Sequence, residues 1–298
     1  MKSVAIVALG VAVAAAHDHP VNHQIVNELK KTASWQVADV HENQFANMSL
    51  EDIQGLMGTI LDYQPVDSID ETPAVGVPDN YNFYEANPDC ANPVRNQARC
   101  GSCWAFGAAE ALEDRWCLAT GEHLNMSTQD MVSCDRGNMG CNGGYLSRAW
   151  SYLKNSGDVE ESCWAYVSGD GHVPACAKKC DAGSGLEWNS DKHYCKDTVN
   201  KRTVASIQQE IYENGPMETG FMVYQDFMSY RGGIYKHTTG GFMGGHAVEI
   251  VGWGQEGSDK YWICKNSWGT SWGEQGFFRI AFNQVGINSD VWACNVNA

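Results

Sequence analysis

Basic residues are scarce in this chain: 20 Lys and Arg stand against 36 Asp and Glu, a formal net charge of −16. A surface that neutralises nucleic-acid phosphates needs clustered cations, so this balance argues against a nucleic-acid partner. Long apolar runs are also missing. The one that exists, Val4 to Ala15, follows Lys2 and ends on Ala14-Ala15-Ala16. It is too short to span a bilayer; with its charged start and small-residue end it predicts a signal peptide over residues 1–16. No membrane span is expected elsewhere. Clusters with metal-ligand spacing are absent apart from His17-Asp18-His19, which cleavage after residue 16 would expose and which reads as a chance spacing. No metal and no cofactor is therefore expected. Cysteine, by contrast, is plentiful at 12 of 298 residues, which points to an oxidising compartment and a disulfide framework.

Charge and pattern divide the rest. Residues 17–77 hold ten acidic side chains against two basic ones, Lys30 and Lys31, and read as a separable pro-segment. Val26 to Trp35 has helical spacing, whereas Asp62 to Pro73 is acidic, contains proline and lacks a helical period, as an exposed processing site would. The remaining stretch of about 220 residues is long enough for two cores. Residues 78–180 carry a small-residue apolar helix, Cys103 to Leu112, and a second one at Tyr145 to Leu153. Residues 181–298 carry alternating apolar strands, such as Lys260 to Cys264 and Gly276 to Ile280, with one helix at Ser206 to Tyr212. The fold class predicted is α+β, with a cleft between the halves.

Chemistry concentrates at three places. Cys103 opens a helix within Gln97-Ala98-Arg99-Cys100-Gly101-Ser102-Cys103-Trp104, and the unpaired N–H groups at such a terminus favour a thiolate. His246 sits in the strand-like run Met243 to Trp253, and Asn266 in Lys265-Asn266-Ser267-Trp268. An imidazole can hold the thiolate and later protonate a leaving amine, and a neutral amide suffices to orient the ring. Trp268 would shield that hydrogen bond. Gln97 and the backbone N–H of Cys103 could donate to a developing oxyanion.

These blocks resemble the papain family of cysteine proteases, and within it the cathepsin B-like members. Cys141-Asn142-Gly143-Gly144-Tyr145, Gly215-Pro216-Met217, Asp191-Lys192-His193-Tyr194 and Gly273 to Phe278 also resemble cathepsin B segments, and Val77-Pro78-Asp79-Asn80-Tyr81 resembles a mature amino terminus. The resemblance implies a papain-like two-domain fold, a helical domain over 78–180 and a β-barrel-like one over 181–298, made as a zymogen. Cys103, His246 and Asn266 are then the catalytic set, and Gly143 and Gly144 form a substrate wall. Gly220, Gly245 and Ala247 line the pocket for the second residue before the scissile bond (P2), with Asp290 at its floor. It further implies disulfides Cys90–Cys117, Cys100–Cys141, Cys134–Cys176 and Cys163–Cys180, leaving Cys195, Cys264 and Cys294 unplaced; three cysteines cannot all pair within one chain. Protein and peptide substrates, the chain's own pro-segment and protein inhibitors of papain-like enzymes are the implied partners of a monomer. The secretory pathway, ending in lysosome-like vesicles or outside the cell, is the implied location. Asn47 and Asn125 begin glycosylation sequons.

Two departures bear on specificity. Only twelve residues, Trp164 to Ala175, separate Cys163 from Cys176, where cathepsin B has a longer occluding loop with paired histidines that supports dipeptidyl carboxypeptidase action. His172 is the sole histidine here, so an open leaving-group side and endopeptidase action are expected. Ala98-Arg99 replaces the Gly-Ser of most relatives. An inactive binding protein on this fold is the remaining alternative, disfavoured because all four catalytic positions are present.

Overall fold

The computed structural model describes residues 19–63 and 70–296. The signal peptide, His17, Asp18 and the middle of the acidic processing stretch therefore lie outside the described residues.

Helix α1 (His23–Thr32) begins where the Asn22 side chain accepts from the Ile25 N–H, and it ends before Trp35 is reached. Trp35 is instead drawn onto the body. Its ring packs at 5.9 Å from Tyr230 and 5.4 Å from Tyr235, and its Nε1 donates to the Lys236 carbonyl. The short strand β1 (Gln36–Val37) then pairs antiparallel with Tyr230–Gly232, and helix α2 (Leu50–Gly55) follows, capped by Ser49.

Strand β2 (Tyr81–Asn82) and the single turn α3 (Phe83–Ala86) lead into the central helix α4 (Cys103–Thr120). α4 shows no polar face because it is enclosed: from Cys103 to Arg115 every residue is buried. It stops at Gly121, whose φ of 75° allows its N–H to reach the Cys117 carbonyl. Helices α5 (Thr128–Cys134) and α6 (Leu146–Asn155) pack beside it. The second half runs β3 (Cys195–Lys201), α7 (Val204–Asn214), β4 (Met217–Tyr224), β5 (Tyr230–Gly232), β6 (Ile234–Tyr235), β7 (Phe242–Glu256), β8 (Asp259–Lys265), β9 (Phe277–Ala281) and β10 (Asp290–Val296). Its sheet has the order β3-β10-β4-β7-β8-β9-β6, antiparallel except for β6 against β9. The α+β class and papain-like architecture hold. Strand β2, however, crosses the expected boundary at 180/181, pairing Tyr81 with Trp253 and Asn82 with Gly252 of β7.

The four anticipated disulfides form, and a fifth joins Cys195 to Cys294. β3 and β10 lie side by side with Val296 opposite Cys195, which brings these two cysteines together. Cys264, on β8, is left as a buried free thiol.

α4 carries charge into the interior, and part of it is matched. Arg95 donates to Glu113 at 3.0 Å, Arg115 donates to Glu210 at 2.6 Å, and Lys265 lies 3.7 Å from Glu249. Removing one partner of a buried pair costs about 3–5 kcal/mol, so these contacts tie α4 to the Arg95 loop and to α7, and β7 to β8. Glu218 on β4 is different: it is fully buried, and among the described residues its side chain accepts one hydrogen bond, from the Trp150 indole at 2.7 Å. Burial pushes its carboxyl well above the usual range, with Asp290 adding to the shift. A raised carboxyl pKa stabilises the fold fully below about pH 4.3, the ordinary glutamate value, and that stability is lost as pH rises toward the folded value. Glu218→Gln should therefore flatten the fall in melting temperature as pH rises above about 4.3. An undiminished fall, read by calorimetry, would contradict a protonated Glu218.

Candidate active site

Cys103 is the first residue of α4, preceded by Ser102, whose side chain leaves the helix N–H groups uncapped. The Ser102 hydroxyl turns instead to the Tyr166 hydroxyl at 3.0 Å. Around the sulfur stand the Thr59 hydroxyl, at 3.2 Å, and the backbones of Ala247 and Gly58. Ala247 adjoins His246, so β7 and the start of α4 meet at this thiol. Burial pushes the Cys103 thiol up, against the smaller lowering by Thr59 and the two backbone bonds. That is the reverse of the thiolate expected at a helix terminus, because residues 57–61 cover it here.

The His246 ring is equally enclosed, and burial pushes its pKa down to about 4, only partly opposed by the bond to Asn266. His246 Nε2 lies 2.8 Å from Asn266 Oδ1, and that oxygen also accepts the Ser267 N–H at 2.8 Å. The backbone donor identifies the amide oxygen, so Nε2 carries the proton and Nδ1 keeps a lone pair. Nδ1 has no hydrogen-bond partner among the described residues. Trp268 stacks on the ring at 4.6 Å, and Phe221 closes another side at 5.9 Å. A neutral imidazole with one nitrogen free is suited to take a proton from a thiol.

Gln97 is buried beside these groups. Its Oε1 accepts from the Ser267 hydroxyl at 2.8 Å, and its Nε2 donates to the Cys100 carbonyl at 2.8 Å and to the Leu56 carbonyl at 3.1 Å. A carbonyl of the amino-terminal segment thus occupies a donor suited to an oxyanion. Tyr166 donates its hydroxyl to the Gln97 carbonyl at 2.9 Å, so one phenol ties the Gln97 backbone to the residue before Cys103. Thr59, Tyr166 and Ser267 escape a reading of the sequence, since nothing local distinguishes them.

The segment threads between two glycine walls. Thr59 N–H donates to the Gly245 carbonyl at 3.0 Å, Ile60 N–H to the Gly144 carbonyl at 2.8 Å, and Gly144 N–H to the Gly58 carbonyl at 2.8 Å. A Cβ on Gly245 would lie 2.2 Å from the Thr59 carbonyl oxygen, and one on Gly143 2.8 Å from the Gly58 oxygen, so the approach requires glycine. Leu61 lies against Gly220 and Gly245. Beyond it, the Tyr63 hydroxyl donates to the Gly220 carbonyl at 3.1 Å, and Asp290, opposite Gly220 across β4 and β10, accepts from Trp292 Nε1. Burial raises the Asp290 carboxyl, with Asp62 adding to the shift. On the other side of Cys103, Phe45 stands edge-on to Trp268 at 5.2 Å. Gly143, Gly144, Gly220, Gly245, Ala247, Trp268 and Asp290 all border this one path.

The short segment after Cys163 runs along the Gln97 to Ser102 loop. Arg99 N–H donates to the Gly169 carbonyl at 2.9 Å, and His172 is exposed, its N–H on Asp170. Ala98 adopts a φ of 52°, a left-handed conformation that costs a residue other than glycine about 1 kcal/mol. Asn47 and Asn125 are exposed, although Ser127 of the second sequon is buried as the cap of α5. His19 is tied by its ring to the Val21 and Met48 carbonyls. The fold gathers Glu160, Asp191 and His193 with candidate ligand atoms within 4.8 Å of one another, a grouping the sequence spacing does not suggest. Their contact is an ion-pair distance of 3.7 Å between His193 and Glu160.

The model of the papain family cysteine protease domain matches residues 77–295. Cathepsin B of Dictyostelium discoideum is 39% identical over 232 residues, covering 74% of this chain and 75% of that protein. A gut-specific cysteine proteinase of Caenorhabditis elegans is 42% identical over 222 residues, covering 67% of each. Among solved structures, procathepsin B S9 of Trypanosoma congolense superposes with a TM-score of 0.82 at 25% identity, over 94% of this chain and all of that one. A thiol at the mouth of the buried helix, an imidazole held by an amide on the facing strands and a proform-like segment lying between them agree with these likenesses: the chain belongs to the papain family of cysteine proteases and is cathepsin B-like.

Proposed function

We propose that the protein is a zymogen of a cysteine endopeptidase with Cys103 as nucleophile. The observation that carries this reading is the free Nδ1 of His246, fixed in its tautomer by Asn266, on the strand that meets Cys103 at Ala247. Once residues up to about 77 are removed, the sulfur gives its proton to His246 and attacks the substrate carbonyl carbon. Gln97 Nε2 and the Cys103 N–H receive the developing oxyanion. The C–N bond breaks as His246 protonates the leaving amine, and water then cleaves the thioester with His246 as base. Asn266 orients the ring, and Trp268 keeps water from its bond to the amide. The segment that fills both sides of the cleft supports a role as the chain's own inhibitor, and its exit would open the same surface to protein substrates and to wedge-like protein inhibitors. Action as a monomer fits a cleft completed within one chain. Five disulfides support passage through the secretory pathway to lysosome-like vesicles or the exterior.

Endopeptidase action follows from the twelve-residue segment 164–175, which lies along the Gln97 loop and offers only the exposed His172 for a terminal carboxylate. The processed enzyme should cut a long peptide internally, whether its carboxyl terminus is free or amidated. Stepwise release of dipeptides from the free acid alone, seen by mass spectrometry, would favour the dipeptidyl carboxypeptidase alternative.

Asp290 should act as the acidic floor of the P2 pocket, accepting Arg as well as bulky apolar side chains. Asp290→Ala should lower kcat/KM for P2-Arg substrates about tenfold or more while sparing P2-Leu. Processing removes Asp62 and part of the burial that raise the Asp290 carboxyl in the zymogen, so the wild-type preference for Arg should hold while that carboxylate is ionised and fade as acid protonates it. Equal losses for both substrates would remove Asp290 from the pocket.

A further inference from the structure

The path of the amino-terminal segment divides the cleft into two arms of opposite character. Gly58 and Thr59 lie at the sulfur, Leu61 and Tyr63 run toward Gly220 and Asp290, and Phe45, Met48 and Leu56 lie toward Trp268 and Gln97. The second arm holds a cavity of about 320 Å³ whose body-side walls are Asn96, Ala98, Arg99 and Trp268. Gln44, Phe45, Met48 and Leu56 supply the rest of the lining, so Arg99 is its sole charged residue among the described residues. Removal of the amino-terminal segment would leave that cation facing an open groove beside Trp268.

Three features make Arg99 more than an ordinary surface cation. It is exposed and forms no ion pair among the described residues, although acidic residues outnumber basic ones by 36 to 20. Its backbone is anchored: Arg99 N–H bonds the Gly169 carbonyl, Ala98 N–H bonds the Asn96 side chain, and Ala98 sits at φ 52°. Finally, Gln97 and Cys100, on either side of this dipeptide, carry the contacts of the Gln97 amide, so the side chain is rooted in the loop that borders the reacting carbonyl. The neighbouring carboxylate, Asp170, has its Oδ1 occupied by the His172 N–H.

We infer that Arg99 binds a carboxylate on the leaving-group side of the substrate. The guanidinium presents a planar fork that pairs with a carboxylate through two hydrogen bonds. Because the opposite arm ends in Asp290, the cleft is polarised: it favours a cation before the scissile bond and an anion after it. Two sources could supply that anion, an Asp or Glu side chain just past the scissile bond or the chain's own terminal carboxylate. This deepens the proposed function and rests on its placement of Cys103 and Trp268.

The test uses the processed enzyme and two matched peptide pairs. The first pair, blocked at both ends, differs only by Glu or Gln at the first or second position after the scissile bond. The second has a neutral leaving side and ends in a free acid or an amide. In the first pair Glu should exceed Gln in kcat/KM by about fivefold at low salt, the advantage narrowing as salt is added. Arg99→Ser should bring the ratio to about one, and Arg99→Lys should keep part of it. An Arg99-dependent preference confined to the second pair also supports the inference and identifies the terminal carboxylate as the ligand. Ratios near one in the wild type for both pairs, or a ratio that survives Arg99→Ser, overturn it while leaving the endopeptidase reading intact. Failure to cleave any peptide, or cleavage that persists in Cys103→Ser, overturns the reading of the cleft and this inference with it.

Discussion

The rest of the active site depends on one close passage, that of residues 56–63 between the Gly143-Gly144 wall and Gly245. Backbone bonds on both sides hold the segment, and the glycines permit an approach that a single methyl group would block. Its consequence is electrostatic. With the segment in place Cys103 and His246 are both fully buried, the thiol is pushed up and the imidazole down to about 4. Neutral forms are favoured on both partners, and the Leu56 carbonyl occupies Gln97. On the proposed function, latency and catalysis are two solvation states of one constellation.

That constellation is held by contacts that cross between the helical and strand-rich parts. Cys103 rides on α4 and His246 on β7, so their meeting depends on how the helix seats against the sheet. Arg115, whose Nε donates to the Cys294 carbonyl of β10 at 2.7 Å, helps fix that seat, and Gln97, bonded through both its backbone N–H and its side chain to Ser267, ties its loop to the turn carrying Asn266. The grip on the amino-terminal segment is largely apolar and backbone in nature: Trp35 packs between two tyrosines and Phe45 on Trp268. Among the described residues its ion pair to the body, Glu42 with Arg231, is solvent-exposed and contributes at most about 1 kcal/mol. Acid-driven release through that pair alone would be weak.

Much of this was legible in the sequence, for a physical reason. A thiol at the start of a small-residue helix, a histidine in a glycine-launched strand and an amide flanked by tryptophan are local patterns, and the helices at 146–155 and 204–214 follow their apolar spacing closely. Relations made only by the fold were not legible. Cys195 meets Cys294 through the pairing of β3 with β10, which left Cys264 as the free thiol only in retrospect. Thr59 reaches Cys103 from another segment, and Tyr166 reaches Gln97 across 69 residues. α1 ends before Trp35 because that ring finds Tyr230 and Tyr235, a tertiary contact that overrides local helical spacing. The direction of the Cys103 shift was reversed for the same reason, since a helix terminus favours a thiolate only where solvent or an imidazolium can reach it.

The central claim is that this passage, by burying the pair, keeps Cys103 a thiol until it is removed. The most direct measurement is the pH dependence of Cys103 reactivity toward a small disulfide reagent, compared between the intact zymogen and the processed enzyme. The processed enzyme should show thiolate reactivity persisting down to about pH 4, whereas the zymogen should stay unreactive through neutral pH. The same low-pH reactivity in both forms would contradict the account.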